Sequence, residues 1–169
     1  MNTTLNKIKA HEPCEEGYRK LLDYLGKTEA DNEALPFLTI LESNGVDDAI
    51  WSLRTCDDEC ALRLFACDIA ESVLHLYEEK YPNDKHPRNA IEVARRFANG
   101  EASDNELRAA ARAAWSSDTV VSARAAAGYA SGSAAWAAVR AAESTVRVAW
   151  VARAAEQEKK VELFKKHFA

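Results

Sequence analysis

The segment from Asp57 to Tyr81 constrains the fold more than any other part of the chain. Its apolar residues recur at helical spacing on two opposite sides, and its first turn is acidic, which suits the positive end of a helix dipole. A helix that is apolar on two sides lies between other helices. We therefore predict that this helix is central to the fold. The two stripes are Leu62, Phe65, Ile69, Val73 and Leu76, and Cys60, Leu64, Cys67 and Leu74.

The patterns before this segment are also helical. Helices are predicted over Cys14–Gly26, Glu33–Gly45 and Asp47–Arg54, and glycine ends the first two. Asn-Gly at 44–45 is also typical of a hairpin turn, but the flanking residues do not alternate between apolar and polar. The sequence therefore predicts an all-α fold, a multi-helix array of antiparallel helical hairpins. We expect at least six helices and no sheet.

The stretch YPNDKHPRNAIEVARRFANGE, from Tyr81 to Glu101, contains the chain's densest group of helix-breaking and helix-capping residues. Pro82 cannot extend the preceding helix, and Asp84 can cap the next one. His86 and Arg88 are residue types that also occur in active sites. Capping and ion pairing account for all three polar side chains, so we interpret the stretch as a corner between two helices.

The second half of the chain, residues 102–169, is rich in alanine, the strongest helix former. Ser103 and Glu106 have the spacing of a capping box, so another helix is predicted to start there. Small side chains allow helix axes to approach closely, and alanine-rich seams between helices are expected. In the last predicted helix, which follows Ser133, the small residues of the seam recur with heptad-like spacing. Its residues are Ala135, Ala138, Ala142, Thr145, Ala149 and Ala152.

A second face of that last helix carries Trp136, Arg140, Arg147 and Trp150, away from the alanine seam. Tryptophan and arginine are the residues most often found as hot spots of protein interfaces. These four are therefore the candidate partner-binding residues. The alternative is structural, with each tryptophan packed under a neighbouring helix and an arginine stacked on its ring.

The charge is unevenly distributed along the chain. Residues 1–101 contain 12 Lys and Arg against 20 Asp and Glu, a net charge of −8, whereas residues 102–169 contain 10 and 7, a net charge of +3. An acidic half disfavours a nucleic-acid partner, because phosphate binding requires cations. It favours a basic protein partner. The alternative is that the carboxylates solvate helix surfaces.

Cysteine raises the question of a metal site. Cys56, Cys60 and Cys67 are spaced to lie along one helix face, and Cys14 or a histidine could add a fourth ligand. Zinc ligands usually come from a tight turn, and the chain has no CxxC pair. We therefore expect core cysteines with reduced thiols and no bound metal.

Motifs that carry a catalytic mechanism are missing from the sequence. It has no Gly-rich phosphate loop, no HExxH and no nucleophile elbow. We expect a non-enzymatic protein with no catalytic residues and no cofactor. The start of the chain does not resemble a signal peptide, and no apolar run approaches the roughly 20 residues that span a bilayer. The expectation is one soluble, cytoplasmic domain over residues 1–169.

Several segments, taken in order, resemble the Imm5-like family of immunity proteins found in bacteria and phages. They are HEPCEEGYRKLL, GVDDAIWSLR, LFACDIAESVL and PNDKHPRNAIEVARRFANGE, followed by the alanine-rich tract. The resemblance implies an all-helical protein that neutralises a toxin, usually encoded beside it, and it brings no catalytic set. A phage or mobile-element accessory protein that inhibits a host defence component, or a helical scaffold, is the alternative. The oligomeric state stays open.

Overall fold

The computed structural model describes residues 1–116 and 153–169. These ranges contain eight α-helices, a 3₁₀ turn at Leu53–Thr55, and two short strands, β1 (Asn2–Thr3) and β2 (Leu35–Pro36). None of the helices in these ranges is long and apolar enough to cross a membrane. The helices are α1 (Leu5–Ala10), α2 (Glu15–Leu25), α3 (Phe37–Asn44), α4 (Val46–Ser52), α5 (Glu59–Lys80), α6 (His86–Ala98), α7 (Asp104–Ser116) and α8 (Arg153–Phe168).

The predicted all-α class is confirmed, but the expectation of no sheet is wrong at one place. Strands β1 and β2 pair antiparallel over two residues, with Thr3 opposite Leu35. The Thr3 hydroxyl lies 2.6 Å from the Thr55 hydroxyl in the buried interior, so the short strand is also held by a side chain. A pairing this short leaves no alternation of polar and apolar residues in the sequence, and therefore no strand signal.

Helix α5 is central, as predicted. It begins at Glu59, because the Asp58 carboxylate caps it by accepting a hydrogen bond from the Ala61 amide at 2.9 Å. It packs against α6 on one side and against α8 on the other. Phe65 belongs to the larger buried cluster with the α8 residues, whereas Cys67 and Leu74 belong to a second cluster with α6 and α7. The two apolar sides of α5 therefore serve two separate parts of the core.

Aromatic rings join the two ends of the chain in the larger cluster. Phe37, Phe65, Phe164 and Phe168 are fully buried. The ring centroids of Phe65 and Phe168 are 5.4 Å apart, and those of Phe37 and Phe168 are 5.9 Å apart, both in edge-to-face geometry. Such pairs contribute about 0.5–1.5 kcal/mol each beyond the burial of their surface. The C-terminal helix is therefore an integral part of the core that α3 and α5 form.

The corner predicted between Tyr81 and Glu101 is confirmed. Asp84 accepts hydrogen bonds from the Tyr77 hydroxyl at 2.5 Å and from the His86 amide at 2.9 Å. The hydrogen bond from Tyr77 lowers the pKa of Asp84. Arg88 donates through Nε and Nη2 to Glu78 at 2.7 and 2.6 Å. The polar side chains of this stretch thus fasten α5 to α6.

The predicted capping box is also present at the start of α7. The Ser103 amide donates to Glu106 Oε2 at 2.8 Å, and the Glu106 amide donates to Ser103 Oγ at 3.3 Å. Ala90 of α6 and Ala114 of α7 are fully buried and pack together, as expected of an alanine contact between helices. The heptad-like seam predicted over residues 135–152 lies outside the described residues.

Candidate functional site

The four predicted partner-binding residues fall in residues 117–152, which the structure does not describe. Trp136, Arg140, Arg147 and Trp150 therefore stay a prediction. The described residues contain other groupings of polar and apolar side chains, and these were not predicted as sites.

The cysteines differ from the expected arrangement. Cys56 precedes α5, so it does not share a helix face with Cys60 and Cys67. Only Cys67 is buried, and that burial raises the pKa of its thiol to about 12. Cys60 is exposed and donates to the Ala98 carbonyl at 3.3 Å, and Cys14 is exposed at the start of α2. The interpretation of the cysteines as core residues is correct for Cys67 and wrong for Cys14 and Cys60.

Potential metal ligands are dispersed over the described part of the chain. Among the described residues, there is no group of three or more His, Cys, Asp or Glu side chains that could hold a metal ion.

A small cavity lies where the start of α2 meets α1, the end of α3 and α4. Its volume is about 120 Å³. Local capping builds the α2 wall, since the Cys14 sulfur accepts a hydrogen bond from the Gly17 amide at 3.4 Å. The lining residues are Ile8, Pro13, Cys14, Gly17, Tyr18, Leu21, Ile40, Asn44, Asp48, Trp51 and Ser52.

Gly17 keeps the polar end of this cavity open. A Cβ at residue 17 would lie 2.8 Å from Asp48 Oδ2 and 3.0 Å from the Cys14 sulfur. The first distance is shorter than real Cβ contacts, so a larger residue would push the Asp48 carboxylate aside. The Gly17 carbonyl also accepts a hydrogen bond from Asn44 Nδ2 at 2.8 Å, which ties α2 to the end of α3.

Asp48 is the charged residue in the cavity lining. Its Oδ2 accepts a hydrogen bond from Asn44 Nδ2 at 2.7 Å, and it forms no ion pair with any residue of the described ranges. Asn44 is in turn held by the Ser43 hydroxyl, which donates to Asn44 Oδ1 at 2.7 Å. Asn44 thus holds the carboxylate beside apolar walls, and no cation of residues 1–116 or 153–169 pairs with it.

Trp51 contributes an aromatic ring to the lining of the cavity, and the helices α2 and α4 that form its walls begin with acidic first turns. Trp51 is partly buried, and the Arg54 guanidinium lies 3.9 Å from the centroid of its ring. Glu15 and Glu16 form the acidic first turn of α2, and Asp47 is in the first turn of α4. Exposed cations further along α2 do not contribute to the lining. The cavity is therefore apolar within and acidic at its charged end.

A second polar cluster surrounds Asp68 on α5, whose side chain is only 6% exposed. Lys166 Nζ donates to its carboxylate at 2.7 Å, His167 Nε2 lies 2.9 Å from it, and Arg95 forms an ion pair with it. Burial alone would raise the pKa of Asp68, but the hydrogen bonds from Lys166, His167 and Arg95 outweigh it and hold the pKa at about 2. These contacts join α5, α6 and α8, so the cluster stabilises the packing of these three helices.

Neither group was identified as a site from the sequence. In the sequence, CEEG belongs to one segment of the family resemblance, and Asp48 and Trp51 belong to another, GVDDAIWSLR, which is also a predicted helix start. Asp68 lies within the segment LFACDIAESVL and carries no sequence-based prediction of its own. The available signal was that isolated acidic residue, because a lone carboxylate beside buried positions requires a partner.

The described residues define an all-α protein with a small apolar cavity that ends in a carboxylate. The chain belongs to the Imm-5 like putative immunity protein family, whose model matches residues 55–158, more than half of the chain. The matched segment begins at the 3₁₀ turn and includes α5, α6 and α7, so the cavity lies in the part of the chain before it. No curated protein and no solved structure matched the chain.

Proposed function

We propose that this chain is an immunity protein that binds a cognate bacterial toxin and neutralises it by direct protein–protein contact. The observation that carries the proposal is the family match over residues 55–158. A binding role is supported by the corner between α5 and α6, where the side chains of Asp84 and Arg88 are hydrogen-bonded to Tyr77 and Glu78 of α5.

The acidic first half would bring a basic toxin to the protein. Opposite charge speeds diffusional encounter, whereas tight contact depends on a few well-packed residues. The face around the cavity has both properties. The lining includes the Asp48 carboxylate and the partly buried Trp51, and the exposed Glu15 and Glu16 follow Cys14 of the lining in the first turn of α2.

Neutralisation by binding is stoichiometric, and this separates it from enzymatic detoxification. We expect toxin activity in vitro to fall linearly with added immunity protein and to reach its minimum at a fixed molar ratio. Complete protection at a small fraction of that ratio would contradict a binding mechanism and indicate catalysis.

The decisive experiment is co-expression with the toxin encoded by the neighbouring gene, followed by co-purification. Restored growth together with a complex that survives size-exclusion chromatography supports the proposal. An unrelated toxin, expressed at the same level, serves as the control and should not be neutralised. Restored growth without any complex would contradict direct contact. Without protection, the proposal is wrong, and a stable complex with a host defence component would then favour the mobile-element inhibitor.

A further inference from the structure

We propose that the cavity between α2, α3 and α4 receives one lysine side chain of the partner protein. The inference rests on the proposed function, since it names the chemistry by which the bound protein is recognised. It places the ammonium group of that lysine against the Asp48 carboxylate and its aliphatic stem among the apolar lining residues.

The size of the cavity selects a single side chain. Its volume is about 120 Å³. Sites for cofactors and metabolites usually have about 300–1,000 Å³. An apolar cavity of about 150 Å³ accommodates a benzene molecule, which has six carbon atoms. The four-carbon stem of lysine therefore fits this cavity. A nucleotide, or a metabolite as large as a nucleotide, is too large for it.

The lining selects a side chain that is apolar along its length and positive at its end. Ile8, Leu21 and Ile40 are buried apolar residues of the wall. Asp48 is the charged group of the lining and forms no ion pair with the described residues. A partner that covered this carboxylate without pairing it would incur the cost of burying an unpaired charge. Lysine avoids that cost, because its stem packs on apolar surface while its ammonium group remains with the carboxylate.

The geometry of Asp48 favours lysine over arginine. Asp48 Oδ2 already accepts a hydrogen bond from Asn44, and a Cβ on Gly17 would touch the same oxygen. Within the described part of the chain, the other oxygen, Oδ1, is therefore left with its full acceptor capacity. Arginine is best matched to a carboxylate when both oxygens accept its two parallel N–H groups. The compact ammonium group of lysine can pair with a single oxygen.

The test begins with n-butylammonium as a probe for the lysine side chain, titrated into the full chain and followed by the amide signal of Gly17 in NMR spectra. We expect a saturable shift of that signal. Butyrate has the same number of carbon atoms with the opposite charge, and it should produce no saturable shift. Equal binding of butyrate, or tighter binding of n-butylguanidinium than of n-butylammonium, would overturn the assignment to lysine.

Two variants test whether the cavity is the site, and one serves as a matched control. Asp48→Asn keeps an oxygen that can accept from Asn44 but removes the charge, so n-butylammonium should bind at least tenfold more weakly. Asp47→Asn removes a charge from the neighbouring exposed residue, and affinity should change less than twofold. Gly17→Ala leaves the charge unchanged and narrows the cavity, so it should also weaken binding at least tenfold. Circular dichroism verifies folding. If both the Asp48 and the Gly17 variants bind n-butylammonium as tightly as wild type, the cavity is not the site.

The same variants test whether a lysine of the toxin binds at Asp48 in the complex. Asp48→Asn should raise the dissociation constant at least tenfold, and Asp47→Asn less than twofold. A wild-type complex that is unaffected by Asp48→Asn would overturn the lysine anchor and leave the proposed function intact. Absence of any wild-type complex would contradict the proposed function itself and this inference with it.

Discussion

His167 Nε2 lies 2.9 Å from Asp68 Oδ2, although 99 residues separate them in the chain. Lys166 donates to the same carboxylate oxygen at 2.7 Å, and Arg95 pairs with the other oxygen. Three cationic or titratable groups from α6 and α8 therefore converge on one nearly buried carboxylate of α5. The position of the C-terminal helix depends on this carboxylate as well as on its buried phenylalanines.

Replacing Asp68 should be strongly destabilising. Asp68→Asn keeps the shape of the side chain but leaves Arg95, Lys166 and His167 without the charge that they surround. Removing one member of a buried ionic group typically costs about 3–5 kcal/mol. Because Lys166 is largely exposed, we expect about 3 kcal/mol of unfolding free energy to be lost. Chemical denaturation followed by circular dichroism measures this loss.

The matched control is Glu71→Gln on the same helix. Glu71 also pairs with Arg95, but its side chain is 50% exposed. Exposed ion pairs contribute about 0–1 kcal/mol, so the control variant should be close to wild type. Similar losses in the two variants would show that the burial of Asp68 has no special effect.

Acid should weaken this cluster in a defined pH window. The pKa of Asp68 is lowered from 3.8 to about 2 in the folded protein, so folding favours its ionised form. That stabilisation is fully present above the unfolded pKa and is lost as the pH falls from about 4 to about 2. The shift corresponds to about 2 kcal/mol. The difference in unfolding free energy between wild type and Asp68→Asn should therefore shrink by about that amount over the window. A difference that stays constant from pH 5 to pH 2 would contradict the depressed pKa.

Truncating Phe65 tests the central position of α5. Its ring is fully buried and lies edge-to-face against Phe164 and Phe168 of α8. Phe65→Ala should lower the unfolding free energy by about 3–5 kcal/mol, because it leaves a cavity where α5 meets α8. Tyr24→Ala is the matched control, since Tyr24 is 56% exposed, and it should change stability by less than about 0.5 kcal/mol. Equal thermal midpoints of the two variants would contradict the arrangement.

The parts of the fold that follow local rules could be predicted from the sequence. The corner at Asp84, the capping box at Ser103 and the two-sided burial of α5 all depend on residues close together in the chain. The pairing of Thr3 with Leu35 could not be predicted, because a two-residue strand leaves no periodic pattern.

The candidate site depends on distances in space that the sequence does not specify. Asp48 meets Gly17 only because α2 docks against the end of α3, and Asn44 holds both. The prediction for Cys56 failed for a related reason. The spacing of Cys56, Cys60 and Cys67 treats Cys56 as helical, whereas the Asp58 carboxylate caps α5, which begins at Glu59 and leaves Cys56 outside it.

The Trp/Arg face predicted between residues 136 and 150 can be tested by the kinetics of the toxin complex. If Trp136, Arg140, Arg147 and Trp150 supply tight contact, Arg140→Ala and Arg147→Ala should each accelerate dissociation of the toxin complex about tenfold or more. Biolayer interferometry on the purified complex measures that rate. Arg112→Ala, which removes an exposed arginine from α7, is the control. Unchanged dissociation in both variants would exclude the face as a hot spot.

Electrostatic steering predicts a salt dependence that lies mainly in the association rate. Residues 1–101 carry a net charge of −8, so a basic toxin should associate about tenfold more slowly when salt is raised from about 0.05 M to 0.5 M, while dissociation changes little. Neutralising Glu15 and Glu16 together, as Glu15→Gln and Glu16→Gln, should reduce this salt dependence. Glu158→Gln, an exposed carboxylate on the basic half, should reduce it less. Stopped-flow mixing over a salt series measures these rates, and association that is independent of salt would exclude steering by the acidic half.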